Sequence, residues 1–177
     1  MRTEQELARL CTAGDREAQG ELYAQYASRL YALCYRYVAD REEAQDLMHD
    51  AMIKAMDSFR YFSYTCDGSL YAWLRRLTVN VVIDRLRQMS KLRLVPLDQT
   101  IETGNTDTDD DAADNIPAQA LLDMVAALPS VRRTVFNMYC IDGFSHKDIA
   151  DAIGITEKGS ASILAKARAQ LKSQVND

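Results

Sequence analysis

The stretch SHKDIADAIGITEKGSASILAKARAQL, Ser145 to Leu171, carries the side chains best placed to work on a nucleic acid. It reads as two helices joined by a tight Gly-Ile-Thr corner, the helix-turn-helix pattern. Ile149, Ile153 and Ile155 form the expected wedge between them, Ala150 allows a close crossing, and Gly154 permits the turn. On the second helix Leu164, Ala167 and Leu171 face inward. Glu157, Lys158, Ala161, Ser162 and Ala165 face out, and Lys166, Arg168 and Lys172 make the C-terminal half basic. In such pairs the second helix reads base edges in the major groove while nearby cations hold phosphates. Ala161 and Ala165 offer no hydrogen bonds, so direct readout rests on Glu157, Lys158 and Ser162.

Nothing comparable points to catalysis. There is no glycine-rich phosphate loop and no nucleophile–base pair, so neither an enzyme nor a small-molecule substrate is expected. Asp46 and Asp50 lie one helical turn apart without the marks of an acid/base pair. Cys11, Cys34, Cys66 and Cys140 are scattered, and His49 and His146 are the only histidines. The thiols read as reduced core or surface groups, with no metal and no cofactor. MRTEQELARL has no apolar signal core and no run reaches membrane-span length, so a soluble, cytoplasmic protein is expected.

The elements that position these groups are helical. Glycine and proline number seven and three in 177 residues, while good helix formers abound, which predicts an all-α fold. Leu22, Tyr26, Leu30, Leu33 and Tyr37 recur at spacings of three and four along EAQGELYAQYASRLYALCYRYV. Asp40 reads as the cap of a helix whose apolar stripe is Ala44, Leu47, Met48, Ala51, Ala55 and Phe59, with Asp46, Asp50 and Asp57 on another side. A third helix, LYAWLRRLTVNVVIDRLRQ, sets Leu70, Trp73, Leu74, Leu77 and Val81 toward the core. Its polar face carries Arg76, Asn80, Asp84, Arg87 and Lys91. Toward the C-terminus come AQALLDMVAAL, then SVRRTVFNMYCIDG opened by Pro129, then the helix pair capped by Ser145 with Asp148 and by Thr156.

The net charge of −5 is localised. Residues 1–98 hold fourteen bases and fourteen acids, residues 99–116 six acids and no base, and residues 117–177 seven bases and six acids. The acidic segment QTIETGNTDTDDDAADNI follows Pro96, precedes Pro117 and lacks apolar periodicity, which predicts a flexible linker over 96–116. Two small helical domains, 1–95 and 117–177, are expected on either side.

With both domains laid out, the chain resembles a bacterial RNA polymerase sigma factor of the extracytoplasmic-function (ECF) group. The resemblance is carried by EEAQDLMHDAMIKAM, by LYAWLRRLTVNVVIDRLR with its W-L … N … D-x-x-R spacing at Trp73, Leu74, Asn80, Asp84 and Arg87, and by the C-terminal helix pair. It implies a region 2 domain that binds core RNA polymerase and melts the −10 promoter element, and a region 4 domain that reads the −35 duplex. Polymerase binding would fall to Asp46, Leu47 and Asp50, against a basic coiled coil. The melted −10 strand would meet Tyr64, Ser69, Tyr71, Arg75, Arg76, Asn80 and Arg87, with further charge from Arg85 and stacking candidates at Tyr61 and Phe62. Glu157, Lys158, Ala161, Ser162, Lys166 and Arg168 would read the −35 element. Core polymerase and promoter DNA are the implied partners, with an anti-sigma factor as a further one. His49 stands where the family usually has Gln, and Ser160 where it is usually apolar, which predicts a looser last helix. A conventional helix-turn-helix repressor or activator is the alternative. The basic third helix argues against it, because a dimerisation domain has no need of such a face.

Overall fold

The computed structural model describes residues 2–89 and 118–175, and these contain helices and no strand. They divide into two compact units, one ending at Met89 and the other holding everything described from Ala118 on. The acidic segment, with Lys91, Pro96 and Pro117, lies outside the described residues.

The first unit begins with α1 (Glu4–Thr12), capped by Thr3, whose hydroxyl accepts the Glu6 N–H at 3.2 Å. It buries Leu7, Ala8 and Cys11, a stripe too short to stand out in the sequence. In α2 (Arg16–Val38) the Asp15 carboxylate accepts the Ala18 N–H at 2.8 Å and ends the unsatisfied first turn. Ala39, at φ 54°, closes the helix in the left-handed region. Asp40 caps α3 (Arg41–Ser58) by accepting the Glu43 N–H at 2.9 Å, and a 3-10 turn, Phe59–Tyr61, follows. α4 (Ser69–Gln88) completes a bundle in which α2, α3 and α4 all touch one another. Leu22, Leu30, Leu47, Leu70, Leu74 and Leu86 are fully buried, each stabilising the bundle by roughly 1.5–3 kcal/mol.

The face that α4 buries differs from the one its sequence suggests. Leu70 and Leu74 are in the core, but the stripe continues through Thr78, Val79, Val82, Ile83 and Leu86. Trp73, Leu77 and Val81, expected inside, are half-buried. The β-branched residues pack inward because α4 lies against both α2 and α3, so its buried arc is wider than one stripe. Thr78 is tolerated there because its hydroxyl donates to the Leu74 carbonyl at 2.7 Å.

The second unit contains α5 (Ala118–Ala126), α6 (Ser130–Phe136), a π turn at Asn137–Ile141, α7 (His146–Ile153) and α8 (Glu157–Val175). The π turn was not expected within SVRRTVFNMYCIDG. Ser145 and Asp148 form a reciprocal capping box, Gly154 turns the corner at φ 73°, and the Thr156 hydroxyl accepts the Gly159 N–H at 2.9 Å. Ile149 and Ile153 are buried as the wedge, while Ile155 is half-exposed at its edge. Val125, Leu128, Ala167 and Leu171 form a core cluster beneath α8.

Candidate nucleic-acid interface

The loop before α4 folds over a recess of about 450 Å³. Phe62 and Trp73 form its aromatic wall, with ring centroids 5.2 Å apart, and the buried Phe59 backs Trp73 at 5.1 Å. Trp73 is therefore a wall of this recess, half-open to solvent, and not a core anchor. Ser63, Thr65, Cys66 and Ser69 supply a small polar rim. The loop keeps its shape through local bonds. Ser69 N–H donates to the Cys66 carbonyl at 3.0 Å, Gly68 takes φ 92°, and Tyr64 Oη–H donates to Asp67 at 2.7 Å. That bond to a carboxylate holds the Tyr64 proton, pushing the phenol up to about 12. Glu4 of α1 also reaches this rim and accepts the Gly68 N–H at 2.8 Å and the Leu70 N–H at 2.6 Å.

From the recess a polar line runs along α4. Arg76, Asn80, Asp84 and Arg87 are exposed, and Arg75 is half-buried. Tyr61, at 72 % exposure, lies under the Arg60 guanidinium, 4.8 Å from the ring centroid. Tyr71 is half-buried, stacked on Tyr26 at 6.0 Å and covered by the Arg29 guanidinium at 3.5 Å. Its ring therefore already has partners within the bundle.

The solvent side of α3 presents Asp46, Asp50 and Asp57. Leu47, grouped with the acids in the sequence, is wholly buried at 0 % exposure, so it supports the face from beneath and offers no surface to a partner. Asp50 pairs with Arg85 of α4 at 3.7 Å rather than with Lys54 along its own helix. His49 stacks on Tyr23 of α2, with Nε2 and the phenol oxygen 3.0 Å apart, and Ile53 beside them is 62 % exposed.

In the second unit Glu157, Lys158, Ala161, Lys166, Arg168 and Lys172 are exposed on α8 and Ser162 is half-exposed, while Leu164, Ala167 and Leu171 are buried. Ser160 does not loosen the helix. It is fully buried, and its hydroxyl lies 2.9 Å from His146 Nδ1, which itself stacks on Tyr139 at 4.3 Å. A satisfied polar pair replaces the apolar contact expected there. The signal that could have found it is the coincidence of an unusual Ser with a His at the start of the preceding helix.

Comparison with known proteins follows the same division. Residues 22–91 match Sigma-70 region 2, and residues 118–171 match Sigma-70, region 4. The chain is 31 % identical over 173 residues to the ECF RNA polymerase sigma factor SigM of Mycobacterium tuberculosis (strain ATCC 25618 / H37Rv), covering 96 % of this chain and 83 % of SigM. It is 25 % identical over 174 residues to the ECF RNA polymerase sigma factor SigW of Bacillus subtilis (strain 168), covering 93 % and 92 %. Among solved structures it is similar in fold to CnrH in complex with the cytosolic domain of CnrY, with a TM-score of 0.52, 20 % identity, and coverage of 98 % of this chain and 97 % of that one. The sigma factor RpoE in complex with the anti-sigma factor NepR from Bartonella quintana gives a TM-score of 0.54, 17 % identity, and coverage of 89 % and 96 %.

Proposed function

Because this chain belongs to the ECF group of RNA polymerase sigma factors, we propose that the recess before α4 captures an unstacked base of the melted −10 element. The chain directs promoter-specific transcription initiation, using its region 2 and region 4 modules. The observation that carries the finer reading is the recess itself, walled by Phe62 and Trp73 and continued by the exposed line Arg76, Asn80 and Arg87. A base leaving the stack needs a flat apolar surface to replace its neighbours and polar groups for its edge. Phe62 and Trp73 supply the first, and the Ser63, Thr65 and Ser69 hydroxyls the second. Tyr64 frames the loop through its bond to Asp67. Arg75, Arg76 and Arg87 then hold phosphates of the displaced strand. Tyr71 stiffens α4 against α2 and takes no base.

Asp46 and Asp50 dock on a basic surface of core polymerase. The Asp50–Arg85 pair is largely exposed, so exchanging Arg85 for a polymerase cation costs little. Residues 1–95 act in core binding and −10 melting and 117–177 in −35 reading, with 96–116 as the tether. On α8 the reading set is Glu157, Lys158, Ala161, Ser162, Lys166 and Arg168, with specificity resting on few hydrogen bonds. The chain performs no bond chemistry of its own and works in the cytoplasm, where polymerase is. CnrH and RpoE were each solved with a second protein bound, and an anti-sigma factor is the corresponding partner proposed here.

The test is run-off transcription with core enzyme, purified protein and genomic fragments. Protein-dependent start sites are expected. Arg76→Glu and Arg87→Glu should lose open-complex formation while still binding core enzyme, whereas Asp46→Arg should lose core binding first. Normal melting by both arginine variants would remove the −10 assignment. No start site together with no core association would remove the whole reading.

A further inference from the structure

Gly68 and Ser69, at the start of α4, form part of the rim of the recess, and Leu70 follows them into the core. The first turn of a helix leaves backbone N–H groups that no helical carbonyl can reach. The residue at the capping position normally satisfies one of them, but here it is Gly68, which has no side chain. Glu4 does this work from another helix, 64 to 66 residues away in sequence. Its Oε2 accepts the Gly68 N–H at 2.8 Å, its Oε1 accepts the Leu70 N–H at 2.6 Å, and the Ser69 hydroxyl lies 3.5 Å from Oε1. A carboxylate suits that place because the N-terminal end of a helix carries partial positive charge. The loop's own bonds, Tyr64 to Asp67 and the Thr65 N–H to Ser69 Oγ at 3.4 Å, set its curl but do not fix it to the bundle. Glu4 ties the rim to α1, which also packs on the 3-10 turn that carries Phe59.

We propose that Glu4 is a positioning residue for base capture. It touches no DNA. Through the Gly68 and Leu70 N–H groups it fixes the height of the Gly68–Ser69 rim above the Phe62–Trp73 wall, and that gap decides how selectively a base is held. The Ser69 hydroxyl, also on the rim, lies 3.5 Å from the same carboxylate, so loss of Glu4 frees both the rim and a polar group on it. The proposal rests on the recess being the base pocket, and its test separates the two.

Holoenzyme assembled from core polymerase and the full chain is titrated with a single-stranded −10 oligonucleotide and with versions abasic at each position in turn. The wild-type protein should show one position at which removing the base costs most affinity. In Glu4→Gln, which keeps the size of the side chain but turns an amide N–H₂ toward backbone donors, and in Glu4→Ala, that penalty should shrink by about tenfold, the worth of one charge-assisted hydrogen bond. Penalties at other positions and affinity for core polymerase should not change. Trp73 is the single tryptophan, so emission from the free full chain reports on the wall directly. A red shift is expected in both variants. Should Glu4→Ala fail to fold, Glu4→Gln decides. An undiminished penalty with unshifted Trp73 emission overturns the role of Glu4 and leaves the pocket standing. The absence of any penalised position in the wild type overturns the pocket, and the proposal with it.

Discussion

Cysteine burial divides the four thiols into two kinds with different chemistry. Cys34, on α2, is buried, and desolvation pushes its thiol up to about 12; Cys11 is pushed up to about 11 by burial and by the nearby Asp15 and Glu21 carboxylates. Cys66, on the recess rim, and Cys140, on the π turn, are exposed. Thiolate is the reactive form, so a raised value slows modification as well as hiding the atom. An aromatic disulfide reagent at about pH 8 should therefore titrate two thiols quickly and release the other two only on unfolding. Four fast thiols would mean that α1 and α2 do not pack as described. The linkage has a definite sign. Above the ordinary thiol value of 9.0 the unfolded chain gives up protons that the folded one keeps. The stability these buried thiols contribute is thus complete below about pH 9 and is lost progressively as pH rises toward 11 to 12.

At the scale of elements, the two left-handed helix ends give opposite expectations. Gly154 sits at φ 73° and ψ 39°, and an added Cβ would meet nothing within 4 Å. The cost of Gly154→Ala is then purely backbone strain, about 1 kcal/mol, which for a unit this small lowers its melting temperature by about 4–8 °C. Ala39 bears that strain already at φ 54°, so Ala39→Gly should raise stability by roughly 0.5–1 kcal/mol. Thermal and urea unfolding followed by circular dichroism check both, and equal effects of like sign would contradict the geometry. These corners show what the sequence could and could not say. Asp40, Ser145 with Asp148, Gly154 and Thr156 were legible because caps act on residues three or four positions away. The long stripes of α2 and α3 were legible because their apolar residues recur at helical spacing along one side. The buried face of α4 was misjudged because apolar residues lie around much of its circumference, and a wide apolar arc has no single best stripe. Glu4 was invisible for the opposite reason. Its partners lie across the bundle, and no local pattern in MRTEQELARL points to Gly68. The Ser160–His146 pair escaped notice likewise, since each residue alone looks out of place.

For the molecule as a whole, charge decides how strongly it can hold DNA unaided. The chain carries 26 acids against 21 bases, and six of the acids lie in residues 99–116 without one base among them. On α8 the exposed cations are Lys158, Lys166, Arg168 and Lys172. Were all four to neutralise phosphates, the logarithm of duplex affinity would fall against the logarithm of salt with a slope of about −3.6, the modest value of a weak site. In the proposed reading the α4 line would add Arg75, Arg76 and Arg87, but only against a single strand, where each contact contributes about 0.7 to the slope. Mounting both units on polymerase makes the second contact intramolecular, so affinity rises without any new side chain touching DNA. The expectation is a free protein that binds a −35 duplex weakly, with a slope no steeper than about −4, and a holoenzyme whose promoter complex is far tighter. Its sigma-dependent slope should flatten by about 2 when Arg75, Arg76 and Arg87 are replaced by alanine. Salt titrations by fluorescence anisotropy, from about 50 to 200 mM, distinguish this from a self-sufficient regulator. Tight duplex binding by the isolated chain, insensitive to added polymerase, would show that the two units need no platform, and the bipartite account of promoter reading would fail.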